Sequence, residues 1–595
     1  MFQQQIDAVK EELRQHAPKR KVLQKLDMFV LDNSLRETTV GQLRGHTIEN
    51  KWQIYNEIKR VGFKHTIVAS FSHMTRLGDT FIRQLAEKGE DFSNFYAFSE
   101  FLEKITNKIP NTDLMPIGLL KMKELGIKHA IIEMDLVYNG IDYTVFTVKK
   151  ICQHLEKLIK WCHSNLAEDS RVLINLRDLP DAMVKKPRRV FKIVNFLSSL
   201  PKHLRPFALI TEESGKFFPE QLGVWISAIR KEMNRCGFTE GHLLVHVHQQ
   251  WGMLEHTQLE CLANGADGIW AGLCEEGASM GHASSTVTLL NMIRLGNKKV
   301  LKKFNCTELR KAAINVTKIT TGLPPHPKQP IYGERALDLV FGMDQFTPDE
   351  KVFSLQTFFG EEAVMRMTTL ANPNMVVLRL QRLFGNDPQF TVDMAKKMLA
   401  KMLEDLHANR KEEYMSAVGL ALLFDRSGGK LTAAMSDAIA KEKPKMAHIQ
   451  NLIKEIREMW DEWDLRDGER DDILEFDAFY NGFMAPYFGC YRCDETKKAL
   501  KAIDMDADGK VDWNEFALYL KWAGRQYPQT STAEELLSIA FRKGLVPAMK
   551  DELVKDVKLP ESGTDEDMCG DSGEEEDFDY FSGRCSSDDE DEYDF

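Results

Sequence analysis

The chain has 595 residues, 28% of them charged, and a formal net charge of −12. This length exceeds what one hydrophobic core supports, so we expect two or more domains. No run of 18 apolar residues and no signal-peptide pattern is present, which argues against a membrane protein and predicts a cytoplasmic one. The ten cysteines form no disulfide framework, and no basic stripe predicts nucleic acid binding.

The first half of the chain alternates short apolar runs with amphipathic stretches. After a predicted N-terminal helix over residues 1–25, this pattern continues through residues 26–300. Eight strand-helix units of this size predict a (β/α)8 TIM barrel. An open doubly wound sheet is the alternative, but no Gly-x-Gly-x-x-Gly follows the first strand. The predicted strands are 28–31, 65–70, 94–98, 129–134, 171–176, 206–211, 242–247 and 268–271.

Polar side chains cluster at the predicted C-terminal strand ends, where such barrels hold their active sites. Strand seven leads into His246-x-His248, and strand alternation sends both imidazoles into the barrel mouth. Such a pair can bind one divalent ion, with a carboxylate from strand one and a ligand after strand eight. An isolated His-x-His is more often a core or surface pair, but a predicted seventh strand favours the metal. The other polar residues at these ends are Asp32, Arg36, Glu37, Glu212, Glu213, Cys274 and His282.

Several of these segments resemble the DRE-TIM metallolyases, which include isopropylmalate synthase, hydroxymethylglutaryl-CoA lyase and the pyruvate carboxyltransferase domain. Leu31-Asp-Asn-Ser-Leu-Arg-Glu37 is similar to the family's Asp-x-x-Leu-Arg-Asp-Gly, and the likeness extends over residues 26–345. The remaining similar segments are 45–51, 215–220, 246–252, 265–268, 277–282 and 330–336. The resemblance implies a TIM barrel with a divalent metal at its C-terminal rim.

The resemblance also implies individual roles. It assigns metal ligands to Glu37, His246, His248 and His282, enolate stabilisation to Arg36, and a reactive loop position to Cys274. The family has Asp where Glu37 stands and Asn where His282 stands, and these exchanges favour zinc, iron or manganese over magnesium. An active barrel would cleave a 2-oxo or 3-hydroxy acid through an enolate. A catalytically reduced scaffold, with Cys274 simply buried, is the alternative.

A helical region is predicted for residues 301–410, and an EF-hand module for residues 411–530. Residues 504–515 match the EF-hand calcium loop, with Gly509 at the sharp turn and Val511 in the strand that couples paired loops. We therefore expect Ca²⁺ here. The oxygen ligands are the side chains of Asp504, Asp506, Asp508, Asp512 and Glu515 and the carbonyl of Lys510.

A partner loop is expected upstream, because EF-hands usually occur in pairs. Residues 464–477 are the candidate, and aligning Ile473 with Val511 puts Arg466 and Arg470 at ligand positions and Asp477 at the last one. Such a loop pairs structurally without binding calcium well. A third hand near residues 425–436 is one residue short, and a Gly-rich helix-helix turn is an equal alternative.

The last part of the chain combines a predicted helical extension, residues 531–560, with an acidic tail. Residues 561–595 carry 16 acidic side chains against one arginine, a net charge of −15, which leaves +3 for the rest. With almost no aliphatic residues, the tail is predicted to be disordered, and a basic docking partner is the functional alternative. The predicted fold is thus a TIM barrel, an all-α EF-hand domain and a disordered tail. The expected function is a calcium-modulated lyase or aldolase; the alternative is a calcium sensor or buffer.

Overall fold

The computed structural model describes residues 2–36, 47–71, 77–249, 251–275, 277, 281–333, 335–337, 339–340, 355–361, 365–407, 413–414, 417–466, 471–488, 492, 494–504, 507–527 and 530–542. Glu37, Asp506 and the predicted tail 561–595 lie outside these residues. None of the helices described here is both long and apolar enough to cross a bilayer.

Eight parallel strands close into a barrel in the first half of the chain. Each strand is hydrogen-bonded to its neighbours in the order β1-β8-β7-β6-β5-β4-β3-β2. The prediction of a (β/α)8 barrel is confirmed, and each predicted strand lies within two residues of the observed one. The strands are β1 Phe29–Asp32, β2 His65–Ser70, β3 Phe95–Glu100, β4 His129–Asp135, β5 Val172–Arg177, β6 Ala208–Glu213, β7 His242–Val247 and β8 Gly268–Ala271.

Helices surround this sheet. A small hairpin, Ile105–Thr106 with Ile109–Pro110, and two 3₁₀ turns, Lys202–Leu204 and Cys306–Glu308, interrupt the series. The helices are α1 Gln3–Lys25, α2 Ile48–Val61, α3 Leu77–Glu87, α4 Ile117–Leu125, α5 Val148–Asn165, α6 Leu179–Lys185, α7 Pro187–Ser199, α8 Pro219–Arg235, α9 Leu254–Ala263, α10 Ser285–Arg294, α11 Lys298–Lys303 and α12 Leu309–Thr321.

Strand alternation divides the barrel's apolar residues into two cores. Side chains on one face, such as Leu31, Ile131 and Trp270, fill the barrel interior. Those on the other face, such as Val30 and Ile132, pack against the helices. The strands read as nearly continuous apolar runs because both faces are buried.

A second core follows the barrel. It joins residues from Met367 to Met435, so the predicted boundary between residues 410 and 411 falls inside it. The predicted helical region also contains three short strands, β9 Leu339–Val340, β10 Met365–Thr368 and β11 Glu413–Tyr414, in one sheet. Strands this short carry no alternation that a sequence can reveal. The helices here are α13 Leu355–Phe359, α14 Pro373–Phe384, α15 Val392–His407 and α16 Ala417–Arg426.

A third core spans residues from Ile449 to Ile539. Helix α17, Ala433–Asp464, is continuous over 32 residues and contributes to both the second and third cores. The remaining elements are β12 Ile473–Glu475, α18 Phe476–Ala478, a π-helix Phe479–Phe483, α19 Ala485–Phe488, α20 Asp494–Leu500, β13 Lys510–Asp512, α21 Trp513–Gln526 and α22 Ala533–Arg542.

The structure corrects one expectation about the loops of this region. Strands β12 and β13 pair antiparallel with Leu474, not Ile473, opposite Val511. The sequence alignment was therefore wrong by one residue. Around residues 425–436, α16 ends and α17 begins after a tight turn with Gly428 at a φ of 91°. Both alternatives for this segment, the short third hand and the Gly-rich helix-helix turn, stay predictions.

Candidate functional site

Three imidazoles meet at the C-terminal rim of the barrel. His246 lies on β7, His248 follows it, and His282 lies in the segment between β8 and α10, joined to His248 by a backbone bridge. The ring centroids of His248 and His282 are 4.4 Å apart, and His246 is 4.7 Å from each. One ligand nitrogen from each ring lies within 4.8 Å of the others. The structure thus brings together three of the four expected barrel ligands, and Glu37 is outside the described residues.

The protein holds these rings in fixed orientations. His246 stacks on the indole of Trp270, with centroids 4.3 Å apart and an interplanar angle of 7°. The side-chain amide of Asn33 lies 2.8 Å from Nδ1 of His282. If the amide donates to Nδ1, His282 presents Nε2 to an ion. Gly277, at a φ of 130°, passes so close that a Cβ there would lie 2.3 Å from this ring.

The electrostatics of the triad suit a metal ion. Burial lowers the pKa of His246 to about 4, and burial also holds the pKa of His282 well below its usual value. Neutral imidazoles have a lone pair for coordination. Ligand nitrogens around a tetrahedral ion are about 3.3 Å apart, given metal–nitrogen bonds of 2.0–2.1 Å. Small side-chain rotations would close the triad to that spacing, so its residues fit a first-row divalent metal.

Arg36 adjoins the same wall of the site. Its guanidinium lies 4.7 Å from the ring centroid of Phe98 and 5.2 Å from that of Trp270, the residue on which His246 stacks. The turn after β1 positions it, with the Arg36 amide donating to the carbonyl of Asn33 at 2.8 Å. A positive charge therefore lies on the same wall of the site as the imidazoles.

Cys274 packs in the core of the barrel domain and not among the polar side chains of the rim. It is 1% exposed and belongs to the hydrophobic core between the sheet and the helices. Such a position suits a packing residue better than a reactive thiol.

The sequence reasoning named Glu212 but missed the polar layer inside the barrel to which it belongs. The amide Nδ2 of Asn175 lies 3.0 Å from Oε2 of Glu133 and 2.5 Å from Oε2 of Glu212. Arg177 pairs with Glu133 at 3.1 Å. Burial raises the pKa of Glu133 to about 8, whereas His246 and His248 outweigh burial and lower the pKa of Glu212. Alternation of polar and apolar residues along β4 and β5 could have revealed these residues.

Asp32, the last residue of β1, is fully buried. Its carboxylate accepts the Ser34 hydroxyl at 2.9 Å, and burial raises its pKa to about 7. The side chain holds the turn that carries Asn33 and Arg36.

A second candidate site is the loop before α21. The Asp504 carboxylate accepts the amides of Asp508 and Gly509, each at 3.0 Å, and Gly509 has a φ of 85°. Asp512 and Glu515 form a reciprocal capping box, with side chain to amide distances of 2.8 and 2.9 Å. Lys510 has its amide bonded to Asp508 at 2.8 Å. The described acidic residues therefore surround one tight turn; Asp506 lies outside the description.

The upstream loop mirrors this one without its last carboxylate. With Leu474 opposite Val511, Asp472 occupies the place of Gly509 and shares its positive φ, at 65°. Ala478 then stands where Glu515 stands in the second loop. Asp477, the expected ligand, instead pairs with Lys497 at 2.7 Å.

No protein-family model and no curated protein matches the chain. Several solved structures do match it, at low sequence identity. An HMG-CoA lyase from Bacillus subtilis is 15% identical over 49% of this chain and 91% of its own, with a TM-score of 0.37. An HMG-CoA lyase from Acinetobacter baumannii, in complex with coenzyme A and 3-methylmalate, is 12% identical over 49% and 92%, with a TM-score of 0.37.

The carboxyl transferase domain of Rhizobium etli pyruvate carboxylase, with pyruvate, is 13% identical over 67% of this chain and 64% of its own, with a TM-score of 0.36. Likenesses this weak carry no argument. The barrel itself is established by the strand pairing, and the function has to be argued from the side chains.

Proposed function

We propose that the barrel is a divalent-metal lyase or aldolase that acts on a small 2-oxo or 3-hydroxy acid through an enolate. The observation that carries this proposal is the triad of imidazoles, with His246 and His282 buried, beside Arg36 at the C-terminal rim. In (β/α)8 enzymes this rim is where chemistry occurs. Zinc, manganese or iron suits the imidazoles better than magnesium does.

A metal bound by the triad would polarise a substrate carbonyl as a Lewis acid. The protein's own residues supply the rest. Arg36, held against Phe98 and Trp270, offers a preorganised positive charge to the oxygen that becomes negative in the enolate.

The test combines metal analysis with α-proton exchange of a panel of 2-oxo acids in D₂O, followed by NMR. We expect exchange that depends on the metal and falls about 100- to 1,000-fold in Arg36→Ala, the usual effect of removing one such donor. Arg83→Ala is the control, because Arg83 pairs at the surface with Glu124. Exchange no faster than in buffer, in metal-loaded protein, would contradict the enzyme.

We also propose that the Asp504 loop binds Ca²⁺ and that this modulates the barrel. The carboxylates gathered around Gly509 support calcium binding, as does the pairing of β12 with β13. The upstream loop, with Ala478 in place of the last carboxylate, is a structural partner. One calcium ion per chain is therefore expected.

A second function is a calcium sensor or buffer whose barrel is a reduced scaffold. The departures of Glu37 and His282 from the family pattern favour it. Purified protein that saturates with calcium while its barrel holds no transition metal would support this function. A cytoplasmic location and a basic partner for residues 561–595 stay predictions.

A further inference from the structure

We infer that Glu212, at the end of β6, is the carboxylate ligand of the barrel metal, which is then held by three imidazoles and one carboxylate. This inference rests on the proposed metal centre. It assigns the carboxylate position to a residue that the implied set of Glu37, His246, His248 and His282 does not contain.

The strand register places Glu212 beside the triad. Glu212 and His246 are partners across the parallel pair β6 and β7, and His246 and Trp270 are partners across β7 and β8. Partners in register point to the same face of a sheet. The next residue, Glu213, points to the other face and accepts the amides of Gly215 and Lys216, each at 2.6 Å.

The distances are those between ligands rather than those of hydrogen bonds. Oε2 of Glu212 lies 3.5 Å from Nδ1 of His246, and Oε1 lies 3.4 Å from Nε2 of His248. Hydrogen bonds between such atoms span about 2.7–3.2 Å, whereas ligand atoms around a tetrahedral ion are separated by about 3.3 Å. A carboxylate that merely oriented a histidine would lie closer to a single ring.

The two ring nitrogens that face Glu212 are not satisfied by any hydrogen bond within the described residues. Nδ1 of His246 and Nε2 of His248 are buried and make no hydrogen bond to the described residues. Unpaired buried nitrogens are costly, so they signal a missing partner. A carboxylate and two imidazoles that turn toward one another without bonding leave room for a cation between them.

Asn175 keeps the carboxylate in place. Its amide donates to Oε2 of Glu212 at 2.5 Å while also reaching Glu133. An outer-shell donor of this kind orients a metal-bound carboxylate. Three imidazoles with one carboxylate form a ligand set for zinc, iron or manganese, rather than for calcium or magnesium.

The test titrates Co²⁺ into the metal-stripped full chain and records its visible absorption, with Zn²⁺ affinity measured by competition. Glu212→Gln should weaken affinity at least 100-fold and change the Co²⁺ spectrum, and Glu212→Asp should recover part of both. Glu124→Gln is the matched control, since it makes the same substitution at a surface glutamate that pairs with Arg83 and lies outside the polar layer. It should leave both readouts unchanged.

The outcomes separate the two proposals. Wild-type affinity in Glu212→Gln, or weaker binding with an unaltered spectrum, would overturn the ligand role and leave the triad site standing. Failure of the wild-type chain to take up Co²⁺ or Zn²⁺ would instead overturn the metal centre itself, and the inference with it. Circular dichroism of each variant verifies that the barrel is folded.

Discussion

Replacing Glu515 with Gln separates two tasks that this side chain performs. Its carboxylate would supply the bidentate ligand of the calcium loop, and it also accepts the Asp512 amide at 2.9 Å in the capping box of α21. Glutamine serves equally in such a box, so we expect helix stability to change by less than about 0.5 kcal/mol. Calcium affinity should nevertheless fall steeply.

The loss can be bounded. Removing an outer-shell partner costs 10- to 100-fold in metal affinity, so losing a bidentate ligand should cost at least about 100-fold, or about 2.7 kcal/mol. The wild-type dissociation constant is expected at about 10⁻⁷ to 10⁻⁵ M. Isothermal calorimetry with Ca²⁺ measures the change, and circular dichroism tests whether α21 survives.

The matched control is Asp477→Asn. Sequence alignment puts Asp477 at the last ligand position of the upstream loop, whereas the β12–β13 pairing gives that position to Ala478. Asp477→Asn should therefore leave calcium binding unchanged. Equal affinity in wild type and Glu515→Gln would refute the calcium loop, and a loss of bound calcium in Asp477→Asn would refute the observed register.

Three further predictions concern the barrel. The double variant His246→Ala with His248→Ala should reduce the transition-metal content, measured by mass spectrometry, to background. The control His203→Ala, at an exposed histidine, should leave it unchanged. One metal per chain in the double variant would show that the metal binds elsewhere. Burial raises the pKa of Asp32 from 3.8 to about 7. Between these pH values the folded chain holds a proton that the unfolded chain has lost, so the free energy of unfolding falls as pH rises. The total change is up to about 4 kcal/mol. Relative to wild type, Asp32→Asn should therefore gain stability in urea between pH 4.5 and pH 8, and a constant difference would contradict the buried acid. Calcium should alter hydrogen exchange in the barrel-rim loops through residues 346–460, and changes confined to residues 446–525 would indicate an independent sensor.

The barrel was predictable because its strands are buried on both faces and read as apolar runs bounded by turns. Alternation also placed His246 and His248 correctly on one side of β7. The same rule applied to β4 and β5 would have exposed Glu133 and Asn175, whose polar side chains are hidden in apolar runs.

Other features needed three-dimensional information. Ile473 and Leu474 are both aliphatic, so composition alone could not decide which faces Val511. The role of Glu212 depends on a cross-strand register with His246 that no local motif encodes. The short strands β9 and β11 have two residues each, too few for any periodicity.

Helix α17 connects the second core to the third. From Met435 in the second core to Trp460 in the third, its 25 steps span about 38 Å at 1.5 Å per residue. Pro444 lies inside this helix and has no amide N–H to donate, so the helix bends most readily there. A change of about 10° in that bend moves Trp460, about 24 Å farther along the helix, by about 4 Å. An ion bound near residue 504 could thus displace a surface far beyond the reach of its own field, which salt screens within about 8–10 Å.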